Sequence, residues 1–222
     1  MSTTTAMCSS FKQELLQAAH CFNADVTIAA SSSTGSVVTC TSTAGLAVGM
    51  VYLSGGTNVT AGSVVSEINS ATTFTVSKTP GGSVTGSPIF TADVMKMALI
   101  KHGNGGTYGA ATTNYANVTS GSDEVSGTGY TAGGTTLTKS TPSLTTTTAW
   151  LTFSPDPNWT SATFSANAAL IYNSSSRLGA ASGISGRSVS VHDFGGTQNV
   201  SNGTFTVVMP TANSTTAILR IT

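Results

Sequence analysis

The longest clean alternation of apolar and polar residues runs from Thr160 to Asn173, TSATFSANAALIYN. Successive side chains of an extended chain point to opposite faces. Ala162, Phe164, Ala166, Ala168, Leu170 and Tyr172 therefore share one face, and Thr163, Ser165, Asn167, Ala169 and Ile171 the other. The run predicts the central strand of a sheet, and its Ala-rich face predicts close packing against another layer or subunit. Shorter alternating runs predict further strands at 93–100, 135–140, 149–154, 188–194, 203–209 and 216–222. Pro155-Asp156-Pro157-Asn158, Gly195-Gly196 and Asn202-Gly203 read as the turns around them. With no helical period between these runs, residues 93–222 are expected to form an antiparallel β-sandwich or jelly roll.

Two other patterns precede that domain. Residues 9–22, SSFKQELLQAAHCF, place Phe11, Leu15, Ala18, Ala19 and Phe22 on one helical stripe, with Ser10 and Gln13 spaced as a capping box. A helix this short is marginal alone. Its stripe should pack on the following domain or on another subunit, so residues 1–22 are read as an N-terminal arm and helix. Residues 23–92 form a small β-barrel-like module: SVVTCTS, GMVYLSGG, SVVSEIN and TTFTVSKT read as four strands joined at Gly55-Gly56, Asn69-Ser70 and Pro80-Gly81-Gly82. The fold expected for the whole chain is mainly β: an antiparallel sandwich or jelly roll, a short N-terminal helix and an inserted small β-module.

Composition narrows the function. Only 7% of the 222 residues are charged and the formal net charge is zero, which leaves no electrostatic footprint for nucleic acid or an anionic membrane. Ser, Thr, Asn and 24 Gly take the place of charge, favouring strands, turns and uncharged hydrogen bonding. The start MSTTTAMCSS has neither the basic nor the apolar region of a secretory signal, and no run reaches the roughly 18 apolar residues of a membrane span. Cys8, Cys21 and Cys40 are read as free thiols of a protein made in a reducing cytoplasm.

Candidate chemistry is sparse. His192 stands beside Asp193, but strand neighbours face opposite ways and do not make an acid–base pair. His20 is assigned to the helix and His102 to a loop. The adjacent acids Asp123 and Glu124 read as a solvated loop rather than a Ca²⁺ or glycosidase site. Gly127-Thr128-Gly129-Tyr130-Thr131-Ala132 fits a loose dinucleotide fingerprint, but Gly133-Gly134 and a Thr-rich strand follow where a helix is needed. Those glycines are expected to shape a β-turn or bulge that presents Tyr130. Arg177, Arg187 and Arg220 read as surface groups. The polar connection 101–123 is expected to be an arm reaching a neighbouring subunit or a lid. No enzyme activity, cofactor or metal is called for.

Several stretches resemble known proteins. EVSGTGYTAGGTTL at 124–137, Trp159-Thr160-Ser161-Ala162-Thr163 leading into ALIYN at 169–173, HDFGGTQNVSNGTFTVVMP at 192–210 and AILRI at 217–221 resemble a group of small virion proteins of tailed bacteriophages. In that group an amphipathic N-terminal segment leads into a strand like MKMALI; this chain departs by carrying 23–92 between them. Within that insert, GLAVGM at 45–50 and SEINSATTFTV at 66–76 resemble β-modules of phage fibre and decoration proteins. The resemblance implies a capsid decoration (cement) protein in the virion, a homotrimer that binds major capsid subunits after shell expansion and touches neither nucleic acid nor membrane. Its implied assembly interface takes in Phe11, Leu15, Ala19 and Phe22 of the helix and Tyr108 and Tyr115 of the arm. The other reading is a tail or head fibre, a receptor-binding adhesin that stacks a host glycan on Tyr52, Tyr108, Tyr115 or Tyr130.

Overall fold

The computed structural model describes residues 2–17, 19–175 and 185–222; Arg177 lies outside them. The chain is mainly β, with several antiparallel sheets and a short helix, and it divides into two compact units. The first opens with β1 (Ser2–Thr3), β2 (Ala6–Met7) and α1 (Ser9–Leu16). The second holds β3 (Val26–Thr27), β4 (Ala30–Thr34), β5 (Val37–Cys40), β6 (Val51–Ser54), β7 (Val65–Ile68), β8 (Thr73–Val76) and β9 (Ile89–Thr91). The first resumes with β10 (Met95–Ile100), β11 (Thr107–Tyr108), α2 (Ala116–Ser120), β12 (Thr135–Leu137), β13 (Ser143–Thr145), β14 (Thr148–Leu151), β15 (Asn158–Asn173), β16 (Arg187–Thr206) and β17 (Leu219–Ile221).

The predicted spine is β15. It sits third in a five-stranded sheet of order β12-β10-β15-β16-β2, antiparallel to both of its neighbours. Its burial changes along its length. Up to Ala166 apolar residues are buried and polar ones exposed, whereas Ala166 to Asn173 are all buried, so the second half is covered on both faces. Met95, Met97, Ala98, Leu99 and Ile100 of β10 are buried in the same way. A second sheet, β13-β14-β17, is joined to the first where the chain beyond β12 pairs with the chain beyond β14: Ser140 N–H donates to Thr152 O at 2.9 Å and Ser154 N–H to Thr138 O at 3.0 Å.

One correction concerns β16. Gly195-Gly196 and Asn202-Gly203 are not turns between two strands. They are irregularities inside one strand of 20 residues. A step from Ala166 to Ala168 on β15 matches a step from Gln198 to Asp193 on β16, and a step from Ala162 to Phe164 matches one from Gly203 to Val200. The surplus residues need left-handed backbone, which Gly195 (φ 74°) and Asn202 (φ 47°) supply. The same residue types signal a hairpin and a bulge, so sequence alone reads the commoner one.

The helix is also shorter than predicted. It ends at Leu16, and its N-cap is Cys8, without a side-chain capping bond; the Ser10 hydroxyl is buried and unpaired rather than closing a capping box. Downstream, Cys21 N–H donates to the Asp93 carboxylate at 2.7 Å and Asp93 N–H donates to Cys21 O at 3.0 Å. That reciprocal pairing fixes Cys21 in the second unit and overrides the helical stripe there. The second unit packs Phe74 edge-on to Phe90 at 5.4 Å, among buried Ile28, Met50, Val65 and Val84. Its described residues form seven strands, not four. The polar β4, ASSST, carries no alternation to read and forms because Gly35 (φ 58°) closes a two-residue turn onto β5.

The buried spine predicts a packing defect on enlargement. Ala166 is fully buried, so Ala166→Trp is expected to lower stability by about 3 kcal/mol or to prevent folding. Ser165→Trp on the exposed face is expected to cost under about 1 kcal/mol. Denaturant melts of the two variants make the check; equal stability would mean the face is not packed.

Candidate functional site

Two places in the first unit combine chemistry and exposure: the connection between β10 and β12, and the three-stranded sheet. The connection is not a free arm. β11 runs parallel to β1, with Thr3 opposite Tyr108. Residues 113–115 pair with the start of β16, Tyr115 N–H donating to Gly186 O at 2.6 Å and Ser188 N–H to Thr113 O at 3.1 Å. Residues 123–125 pair antiparallel with the end of β10, with Lys101 N–H donating to Asp123 O at 2.8 Å and Val125 N–H to Leu99 O at 2.9 Å. The segment is thus stitched to its own unit in three places.

The last stitch decides what the adjacent acids do. In extended backbone Asp123 and Glu124 point to opposite sides, and each receives its own set of donors. The Asp123 carboxylate, fully buried, accepts from Tyr108 Oη at 2.8 Å, Asn104 N–H at 3.0 Å and Gly106 N–H at 3.2 Å. The Glu124 carboxylate accepts from Tyr115 Oη at 2.6 Å, Tyr130 Oη at 2.8 Å and Gly133 N–H at 2.7 Å. Tyr130 Oη in turn accepts from Leu99 N–H at 3.0 Å, and Tyr172 Oη donates to Gly133 O at 2.7 Å. The rings pack as tightly as the hydroxyls bond: Tyr115 stacks on Tyr172 at 4.5 Å, and Tyr130 lies against Trp159 at 6.1 Å and Phe164 at 5.8 Å. The pair is a structural lattice, which corrects its reading as a solvated loop.

The glycine-rich stretch serves that lattice. Tyr130 N–H donates to Gly127 O at 3.2 Å, closing the turn that presents Tyr130. A Cβ on Gly129 (φ 79°) would stand 2.8 Å from Ala162 Cα, and one on Gly134 (φ 70°) would collide with Met97 O.

The residues nominated for an assembly interface are dispersed. Phe11 is buried on the side where α1 packs on β16, beside the ion pair of Glu14 Oε1 with Arg187 Nη1 at 3.0 Å. Arg187 is accordingly a buried partner, not a surface group. Leu15 is half-buried on α1, while Ala19 and Phe22 lie beyond the helix in the other unit, Phe22 stacked with His20 at 6.0 Å. Tyr108 is buried and Tyr115 is engaged in the lattice. The four tyrosines proposed for sugar stacking are likewise occupied, Tyr52 donating to Gly55 O at 2.8 Å and meeting Phe90 edge-on. The histidines are apart: His102 Nε2 bonds the Thr3 hydroxyl at 2.9 Å and His192 Nε2 the Ser190 hydroxyl at 2.8 Å.

What sequence reading missed is the outer row of the three-stranded sheet. Leu144 pairs with Ala149, and Ala149 with Ile221, so the three side chains stand abreast on one face. Leu144 is 71% exposed and Ile221 56%, and Ala149 is exposed between them. Leu151 and Leu219, paired two residues along on the same face, are buried. The apolar row therefore runs out of the core into solvent. Its signal in the sequence was faint: SLT is too short to show alternation, and its register with β17, 74 positions or more away, is not readable from either segment.

A scan against protein-family models, a search of curated proteins and a search of solved structures each give no match.

The tyrosine lattice predicts loss of stability in alkali. Burial, reinforced by the neighbouring carboxylates, raises the phenol of Tyr130 far above its ordinary value; Tyr108 and Tyr115 move the same way and Tyr172 is pushed to about 12. Unfolded tyrosines ionise near pH 10, so stability is intact below that pH and falls as pH rises towards 12, because only the unfolded state releases protons there. Denaturant midpoints between pH 8 and 12 should fall, and Tyr130→Phe should flatten the slope. Glu124→Ala should cost about 3 kcal/mol at neutral pH by orphaning three donors and should speed amide exchange across 101–134. An unchanged exchange pattern would show that the carboxylate does not hold the connection.

Proposed function

We propose that this protein is a structural component of a tailed-phage virion, a capsid decoration protein that stabilises the head by binding major capsid subunits and copies of itself. The observation that carries this reading is the exposed row Leu144–Ala149–Ile221, set in an almost uncharged, Ser- and Thr-rich chain. Burying a Leu or Ile side chain is worth about 1.5–3 kcal/mol. One such row makes a weak contact, but weak contacts repeated over a symmetric shell add up through avidity. The resemblance of 124–137, 159–173, 192–210 and 217–221 to phage virion proteins supports the same reading. Such a role asks for surface, not catalysis: the acids and tyrosines of the lattice act inside the fold, leaving neutral contacts outside.

Virions assembled without the protein are expected to lose resistance to heat and osmotic shock, and added purified protein to restore it. Leu144→Asp with Ile221→Asp, both at exposed positions, should leave the melting temperature within a few degrees of wild type and reduce binding to shells at least about tenfold. Detection of the protein in tails alone would overturn the reading.

A further inference from the structure

Beside the sheet edge lies a cleft of about 460 Å³ whose walls come from β16, the chain just after it, and β10. Phe194 and Phe205 of β16 are eleven residues apart, about 36 Å in a straight strand, yet their ring centroids are 6.2 Å apart. The bulges at Gly195-Gly196 and Asn202 thus bend β16 while it stays paired along β15, and the cleft lies in the hollow that Phe194 and Phe205 share. Met97, Val208, Met209 and Ile218 complete an apolar wall. Among the described residues no formally charged one lines it, and His192 is held neutral by burial, its pKa pushed down to about 4.

We propose that this cleft binds a neutral aromatic group carrying one N–H or O–H donor. Its volume falls in the range of about 300–1,000 Å³ usual for small-molecule sites, and its lining has their composition, mostly apolar and aromatic with a few convergent polar groups. Phe194 and Phe205 offer ring contacts, and Met97 and Met209 offer sulfur–aromatic contacts. One polar group fixes orientation. The carboxamide of Gln198 donates to Gly196 O at 3.5 Å, leaving its oxygen as an acceptor. An unpartnered acceptor selects a ligand that brings a donor. The inference does not depend on the virion reading.

The test uses the full chain labelled with ¹³C at the methionine methyls, titrated with indole and, separately, with toluene. Indole should shift the Met97 and Met209 signals saturably and leave that of Met50, in the core of the other unit, unmoved. Toluene, which lacks the donor, should bind about fivefold more weakly. Val208 is 76% exposed, so Val208→Asp should fold normally and weaken indole about tenfold by placing a carboxylate at the rim. Absence of saturable shifts at Met97 and Met209, an equal shift at Met50, or unchanged binding in Val208→Asp would overturn the site. Equal affinity for toluene would overturn the donor requirement.

Discussion

The first unit depends on a strand's habit of sending neighbouring residues to opposite sides. Because 123–125 is held extended against β10, the carboxylates of Asp123 and Glu124 do not compete for one space. Each instead gathers donors from a different part of the connection: Asn104, Gly106 and Tyr108 on one side, Tyr115, Tyr130 and Gly133 on the other. Burying a carboxylate without partners is prohibitive, so the donors must be present whenever the strand is formed. Two residues thereby convert a long polar segment into a fixed part of the unit.

Legibility followed the range of the interaction. The spine was readable because Ala162, Phe164, Ala166 and Leu170 alternate within one segment, and strand burial obeys that local period. The bulging of β16 was not, because Gly195 and Asn202 declare left-handed backbone without saying whether the chain then turns or continues. Only the partner strand decides, and it is supplied by residues 158–173. The helix failed at Ala19 and Phe22 for a related reason: a pairing with Asp93, 72 positions away from Cys21, outweighed a stripe that looked continuous. Adjacent acids in a Gly- and Ser-rich context look solvated, and nothing within a few residues of Glu124 announces that three donors are aimed at it.

The candidate surface was the least legible part. Tyr108 and Tyr115 stood out as large aromatics in a polar segment, but a tyrosine whose ring is stacked and whose hydroxyl is bonded inside the fold has little left to offer a partner. The residues left exposed are plainer. Leu144 and Ile221 lie in short segments, and they become a patch only when β14 brings them to either side of Ala149.

Several charged groups of this unit are drawn inward where they do the most to fix geometry, as in Asp123, Glu124 and the Glu14–Arg187 pair, while Lys12, Asp193 and Arg220 stay exposed. Association through what remains outside would owe little to long-range attraction, which a zero net charge does not provide. It would rest on shape and apolar area, which act only at contact. Contact is therefore where specificity must lie, and that places a premium on rigid presentation of Leu144 and Ile221 by β13 and β17. Both strands flank β14, whose continuation is bonded through Thr152 and Ser154 to the chain leaving the five-stranded sheet. That joint makes the exposed row an extension of the same frame that the hydrogen-bonded carboxylates of Asp123 and Glu124 hold in place.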